Sequence, residues 1–242
     1  MMMFKGTVLT VPRNQAISHA ARLLESVGIC VTEKCAPDVT HLLLPVPSFT
    51  GGDGYLAHLL TKLPEDVIIS GGNLNSPLLE GYRTVDFLRD PYYLADNAAI
   101  TAQCAIRMLK DRLPALSGKQ GLIIGWGRIG KCLGPLLKAA GAKVSIAARK
   151  TSDLAMIRGL GYRNVDIRDA EAELGRYDLI LNTVPELLFP QAAVKEQAVI
   201  LELASKPGIT GPTVIDARGL PGKLAPEQSG RLIAETFIRL SL

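Results

Sequence analysis

The chain has 242 residues, of which 48% are hydrophobic, 21% charged and 5% aromatic, and carries a formal net charge of +4. This length gives room for one large or two small α/β domains, and the composition is that of an ordinary soluble globular protein. Lysines and arginines are scattered rather than clustered, which argues against a nucleic-acid partner. No segment approaches the roughly 20 apolar residues of a membrane span. Met1-Met2-Met3-Phe4-Lys5 is too short an apolar run for a signal peptide. Cys30, Cys35, Cys104 and Cys132 show no C-x-x-C pairing and no histidine at metal spacing. Reduced thiols in a cytoplasmic protein, with no metal site, are the expectation.

In chain order, residues 6–11 read as a strand and 14–27 as a helix, with Ala16, Ile17, Ala20, Leu23, Leu24 and Val27 at helical spacing. Strands are expected at 29–32, 39–44 and 67–70, with a fifth at 83–87. A helix is expected at 55–63, after the Gly51-Gly52-Asp53-Gly54 loop. Residues 95–113 form a long helical pattern ended by Pro114. Beyond it come a strand into Gly125, a helix, and a second strand at 142–148. Helices follow at 151–160 and 168–174, strands at 179–181, 199–203 and 214–217, and a closing helix at 227–240. Strands alternating with helices imply parallel βαβ units. The expected fold class is α/β, two Rossmann-like domains with parallel sheets joined by a long interdomain helix. The first domain would span residues 1–94 and the second 95–226, with 227–242 returning as a helix towards the first.

The chemistry-bearing motif is Gly125-Trp126-Gly127-Arg128-Ile129-Gly130, at the end of the apolar run Gly121-Leu122-Ile123-Ile124. Glycine spacing of this kind is weak evidence alone, but a strand before it and an amphipathic helix after it supply the right context. The first glycine allows the tight turn, the second lets a pyrophosphate approach the backbone, and the third lets the helix pack on the sheet. Unpaired N–H groups at the helix start favour the phosphates. A triphosphate P-loop reading fails at Cys132, since that loop needs a hydroxyl after Lys131 to ligate magnesium. An NAD site usually places an acid at the end of the second strand, about 20 residues on. Here Arg149-Lys150-Thr151 stands there instead, which favours the 2′-phosphate of NADP over a merely solvated basic turn.

Ligands of an open parallel sheet sit beyond the carboxyl ends of its strands. Three further loops qualify: Asn182-Thr183-Val184-Pro185, Ala204-Ser205-Lys206-Pro207-Gly208, and Gly219-Leu220-Pro221-Gly222 running to Ala225-Pro226. Each is a plausible connecting loop on its own. Together around a glycine fingerprint they suggest a walled cofactor cleft.

These motifs resemble the dipicolinate synthase A family, a sporulation oxidoreductase. The likeness rests on Leu181-Asn182-Thr183-Val184-Pro185, Leu203-Ala204-Ser205-Lys206-Pro207-Gly208, Gly219-Leu220-Pro221-Gly222 and Leu224-Ala225-Pro226. It extends through Ser229-Gly230-Arg231-Leu232-Ile233-Ala234 and Ala147-Ala148-Arg149, and more loosely through Leu43-Leu44-Pro45-Val46 and Ile69-Ser70-Gly71. The resemblance implies NADP-dependent oxidation of a 4-hydroxy-tetrahydrodipicolinate to dipicolinate, with a flavoprotein-like partner chain; a homo-oligomer is a separate expectation. The cofactor would be held by the glycine loop, Arg149, Lys150, Thr151, Asn182, Thr183, Val184, Pro185, Ala204 and Pro226. Lys206 is the cation expected to meet a substrate carboxylate, with Arg13 a weaker candidate, while Ser205 and Thr101 offer hydrogen bonds. Two departures stand out: the first domain reads as trimmed, and Gln103 falls where the family has a polar segment containing glutamate. A glutamine cannot act as a base, which keeps open a non-catalytic NADP-binding or sensing subunit. A histidine-based 2-hydroxyacid dehydrogenase is disfavoured because His19, His41 and His58 all lie in the first domain, with His41 reading as structural.

Overall fold

The structure, a computed structural model, describes residues 6–11, 14–49, 54–189 and 194–242. Arg13 and Gly51-Gly52-Asp53 lie outside these residues. The chain packs as two compact units, Met1–Asn97 with Ala225–Leu242, and Ala98–Leu224.

The first unit contains β1 (Thr7–Thr10), α1 (Gln15–Ser26), β2 (Cys30–Thr32), β3 (Val39–Leu43), α2 (Gly54–Leu60), β4 (Ile68–Gly71) and β5 (Thr84–Asp86). Its strands form a parallel sheet in the order β2-β1-β3-β4-β5, one of the two common doubly wound arrangements. Leu9, Leu42 and Ile69 from the three central strands are fully buried. Asn14 starts α1 by accepting a bond from the Ile17 N–H at 2.9 Å. Ala16, Ile17, Ala20, Ala21 and Leu24 then form its buried stripe. That stripe packs on the last helix of the chain. Gly230 makes the approach possible, since a Cβ there would stand 2.5 Å from the Ala16 carbonyl oxygen and 2.6 Å from His19 Cβ. His41 is structural, as expected. Its Nε2 donates to the Ser241 carbonyl at 3.1 Å, its ring meets Phe237 edge-on, and burial lowers its pKa.

The long helix α3 (Pro91–Arg112) starts at Pro91 rather than at residue 95. Proline suits a first turn whose N–H groups need no helical partner, and the Asp90 carboxylate accepts from the Tyr93 N–H at 2.7 Å. The second unit continues with β6 (Gln120–Ile124), α4 (Arg128–Ala139), β7 (Lys143–Ala148), α5 (Thr151–Gly159), β8 (Arg163–Asp166), α6 (Ala170–Glu173), β9 (Leu179–Asn182), β10 (Val199–Glu202), β11 (Val214–Asp216) and α7 (Leu220–Leu224); α8 (Pro226–Ser241) belongs to the first unit. The second sheet is parallel and six-stranded, in the order β11-β10-β9-β6-β7-β8. From its first strand this is the Rossmann order, with the direction of winding reversing between β6 and β9.

Three local expectations are corrected. Strand β8 was not anticipated: among Arg163, Asn164, Val165 and Asp166 only Val165 is buried, so the apolar signal is a single residue. Residues 168–174 are not one helix, because Arg168 turns back onto the Asp166 carboxylate and helical geometry is limited to Ala170–Glu173 before a 3-10 turn. The Gly219-Leu220-Pro221-Gly222 loop becomes helical from Leu220, with Pro221 in the first turn.

Candidate functional site

Strand β6 is buried from Gly121 to Ile124 and ends at the point where the winding reverses. Gly125 follows with φ +103°, a left-handed conformation that side chains resist. A Cβ there would also stand 2.5 Å from Thr183 Oγ1. Thr183 ties the loop after β9 to the end of β6, its Oγ1 donating to the Ile124 carbonyl at 2.8 Å. Gly127 is the N-cap of α4, and no side chain makes the capping hydrogen bond there. A Cβ on Gly127 would meet nothing within 4 Å, whereas one on Gly130 would collide with the Gly125 carbonyl oxygen. Gly125 and Gly130 are thus glycines for the fold, and Gly127 faces open space.

That space is a pocket of about 380 Å³. Its walls come from three strand ends: Gly125, Trp126 and Gly127 after β6, Ala148, Arg149 and Lys150 at β7, and Thr183, Val184 and Pro185 after β9. Asp153, Ile167, Glu186 and Leu188 complete it. The sequence expectation missed these four. Glu186 alone had a signal, as the polar residue following the Pro185 turn. Of the other expected cofactor residues, Arg128, Ile129 and Gly130 form the first turn of α4, and Thr151 opens α5. Asn182 and Ala204 are buried, and Pro226 opens α8 in the first unit. Ser205 and Lys206 are exposed on the loop after β10, Thr101 is buried within α3, and none of the three lines the pocket.

The electrostatics at the end of β7 follow from its sequence. No acid ends the strand. Asp166, opposite Ala148 in register, is occupied by Arg168, whose guanidinium bonds hold its carboxyl down at about 2. Arg149 lies 3.9 Å from Glu186, both side chains being largely exposed. Trp126 flanks the glycine loop and tilts over Tyr162, with ring centroids 6.2 Å apart. The four cysteines are free thiols, and no group of metal-ligating side chains occurs among the described residues. No helix among the described residues is long and apolar enough to cross a membrane.

Two parallel sheets with a glycine loop at the switch point of the second define the Rossmann-type fold of dehydrogenases. A transhydrogenase from Sinorhizobium meliloti shares it with a TM-score of 0.74 at 13% identity, over 96% of this chain and 92% of that one. The particular likeness is to dipicolinate synthase A. The Bacillus subtilis protein of that name is 29% identical over 136 residues, 52% of this chain and 46% of its own length, so the match spans about half of that relative. The crystal structure of the Bacillus halodurans protein superposes with a TM-score of 0.83 at 23% identity, covering 99% of both chains. No family model matches the sequence. The sequence match and the shared fold bear out the resemblance to dipicolinate synthase A.

Proposed function

We propose that this chain is an NADP-dependent oxidoreductase of the dipicolinate synthase A type, oxidising 4-hydroxy-tetrahydrodipicolinate to dipicolinate. One observation carries the reading: the open glycine, Gly127, shares its pocket with Arg149 and Lys150 and with no acid at the end of β7. In this reading the first turn of α4 holds the pyrophosphate, while Arg149, Lys150 and the start of α5 at Thr151 meet the 2′-phosphate. Thr183, Val184 and Pro185 line the nucleotide. When bound, the nicotinamide supplies a hydride acceptor. Lys206 binds one substrate carboxylate, and Ser205 hydrogen-bonds a ring substituent. The ring loses water, a hydride and a proton to become aromatic, which makes the conversion favourable. A flavoprotein-like partner chain and a homo-oligomeric assembly belong to the same proposal. Gln103 favours a second reading, an NADP-binding subunit that works through its partner without chemistry of its own.

Nucleotide titration and a turnover assay test both. NADPH should bind at least about tenfold more tightly than NADH, because charge-assisted bonds to a 2′-phosphate contribute roughly 1.5–3 kcal/mol and tenfold needs about 1.4. Arg149→Asp should reverse the preference; equal affinity in the parent would count against NADP. With the hydroxylated precursor, Lys206→Ala should lower kcat/KM by about thirtyfold or more while NADPH affinity stays within a few-fold. Tight NADPH binding with no turnover, the partner chain being supplied, would favour the second reading.

A further inference from the structure

The loops that follow β9 and β10 are joined beneath the surface by a side chain that the proposed chemistry does not use. Glu202, the last residue of β10, is 3% exposed. Its Oε1 accepts from Asn182 Nδ2 at 2.8 Å and from the Ala204 N–H at 3.0 Å. Its Oε2 accepts from Asn182 Nδ2 at 2.9 Å, the Gly208 N–H at 2.8 Å and the Ile209 N–H at 3.0 Å. Asn182 ends β9 and passes the connection on, with Nδ2 donating to the Val184 carbonyl at 3.0 Å and Oδ1 accepting from the Val184 N–H at 3.1 Å. The two loops touch at Gly208, where a Cβ would stand 2.7 Å from the carbonyl oxygens of both Val184 and Glu186.

One carboxylate therefore grips two structures at once. On one side is the segment from Thr183 to Glu186, a wall of the pocket. On the other is the loop from Ala204 to Ile209, held at both ends by Glu202 with Ser205, Lys206 and Pro207 as its exposed tip. Every partner of the carboxylate is a donor, so only an acceptor-only group satisfies the arrangement. A glutamine has the same shape but, whichever way its amide turns, aims an NH₂ at donors.

We propose that Glu202 is the positioning residue of the nucleotide site, fixing the pocket wall after β9 and the loop bearing Lys206 as a single unit. The inference rests on reading the pocket as a dinucleotide site. It extends that reading by making the two loops energetically coupled, so that occupancy of one is felt by the other.

The test uses the full chain and the fluorescence of Trp126, its one tryptophan, which lines the pocket. Parent and Glu202→Gln are titrated with NADPH and with 2′,5′-ADP under conditions where both are folded, and amide exchange is followed in parallel. The expected result is about tenfold or greater loss of affinity for both ligands. Exchange should accelerate at Val184, Ala204, Gly208 and Ile209 while β6 and β7 keep their protection. A merely structural role would lower the melting temperature and leave the folded fraction binding as the parent does; affinity within twofold overturns the assignment. If Glu202→Gln does not fold, the parent decides. Where these amides exchange by local opening rather than by unfolding of the whole unit, NADPH should slow exchange at Ala204, Gly208 and Ile209, which do not line the pocket, and unchanged exchange there overturns the proposal. A parent that binds neither NADPH nor NADH overturns the underlying reading instead, which keeps the two failures distinct.

Discussion

At Gly127 an added side chain would point into open space, whereas at Gly130 it would run into the backbone of Gly125. Substitution at Gly130 should damage the fold, and substitution at Gly127 should damage only what enters the pocket. Gly127→Val is therefore expected to stay folded, with a melting temperature within a few degrees of the parent, and to lose NADPH binding because the branched side chain takes the place of the pyrophosphate. Retained affinity in a titration would show that the glycine loop is not the site. Magnitudes also settle what the Arg149–Glu186 pair does. With both side chains largely exposed at 3.9 Å, such a pair contributes about 0–1 kcal/mol. A phosphate bond to Arg149 is worth roughly 1.5–3 kcal/mol, so Glu186 does not withhold Arg149 from a 2′-phosphate.

At the scale of elements, α3 is set by its first residue pair. The Asp90 carboxylate caps the helix at the Tyr93 N–H and receives two bonds from the Arg239 guanidinium of α8, at 3.0 and 2.6 Å. The arginine holds the Asp90 carboxyl below its ordinary range. A carboxylate depressed on folding contributes stability that is present above its unfolded pKa, about 3.9, and lost as pH falls through the lower folded value. Asp90→Asn should cost about 1–3 kcal/mol in urea unfolding at pH 7, and the gap to the parent should narrow as pH drops below about 4. A gap independent of pH would show that the charge is irrelevant. This link was illegible in the sequence, since Asp90 and Arg239 are far apart in the chain, whereas local spacing gave Ala16, Ile17, Ala20 and Leu24 of the α1 stripe, though not Leu23, which is half-buried, or Val27, which ends the helix exposed. Strand β8 was hidden for a different reason: an edge strand needs only one buried side chain, and Val165 alone carries no period. In the site, the glycine loop and the basic turn after β7 were readable because each signal lies in adjacent residues. Glu202 was not, because an acid at the end of an apolar strand usually marks the exit to solvent, and nothing local reveals the donors converging on it.

For the molecule as a whole, the two units differ in how the chain builds them. The unit with the glycine loop is one continuous stretch, Ala98–Leu224, while the other is assembled from Met1–Asn97 and Ala225–Leu242. The residues lining the pocket all come from the continuous stretch. A ligand that binds only when that stretch is folded stabilises it by RT ln(1 + [L]/Kd), about 2.7 kcal/mol at a hundredfold excess over Kd. For amides that exchange only when this unit unfolds, the same term is a slowing of about a hundredfold. Saturating NADPH should therefore slow the best-protected amides of β6, β7 and β9 by about that factor. Those of β1, β3 and β4 should slow by less than about threefold, since nothing in their sheet contributes to the pocket. Exchange followed by mass spectrometry with and without NADPH distinguishes the outcomes. Equal slowing in both sheets would mean that the chain unfolds as one cooperative body, and slowing confined to β1, β3 and β4 would put the nucleotide on the other unit.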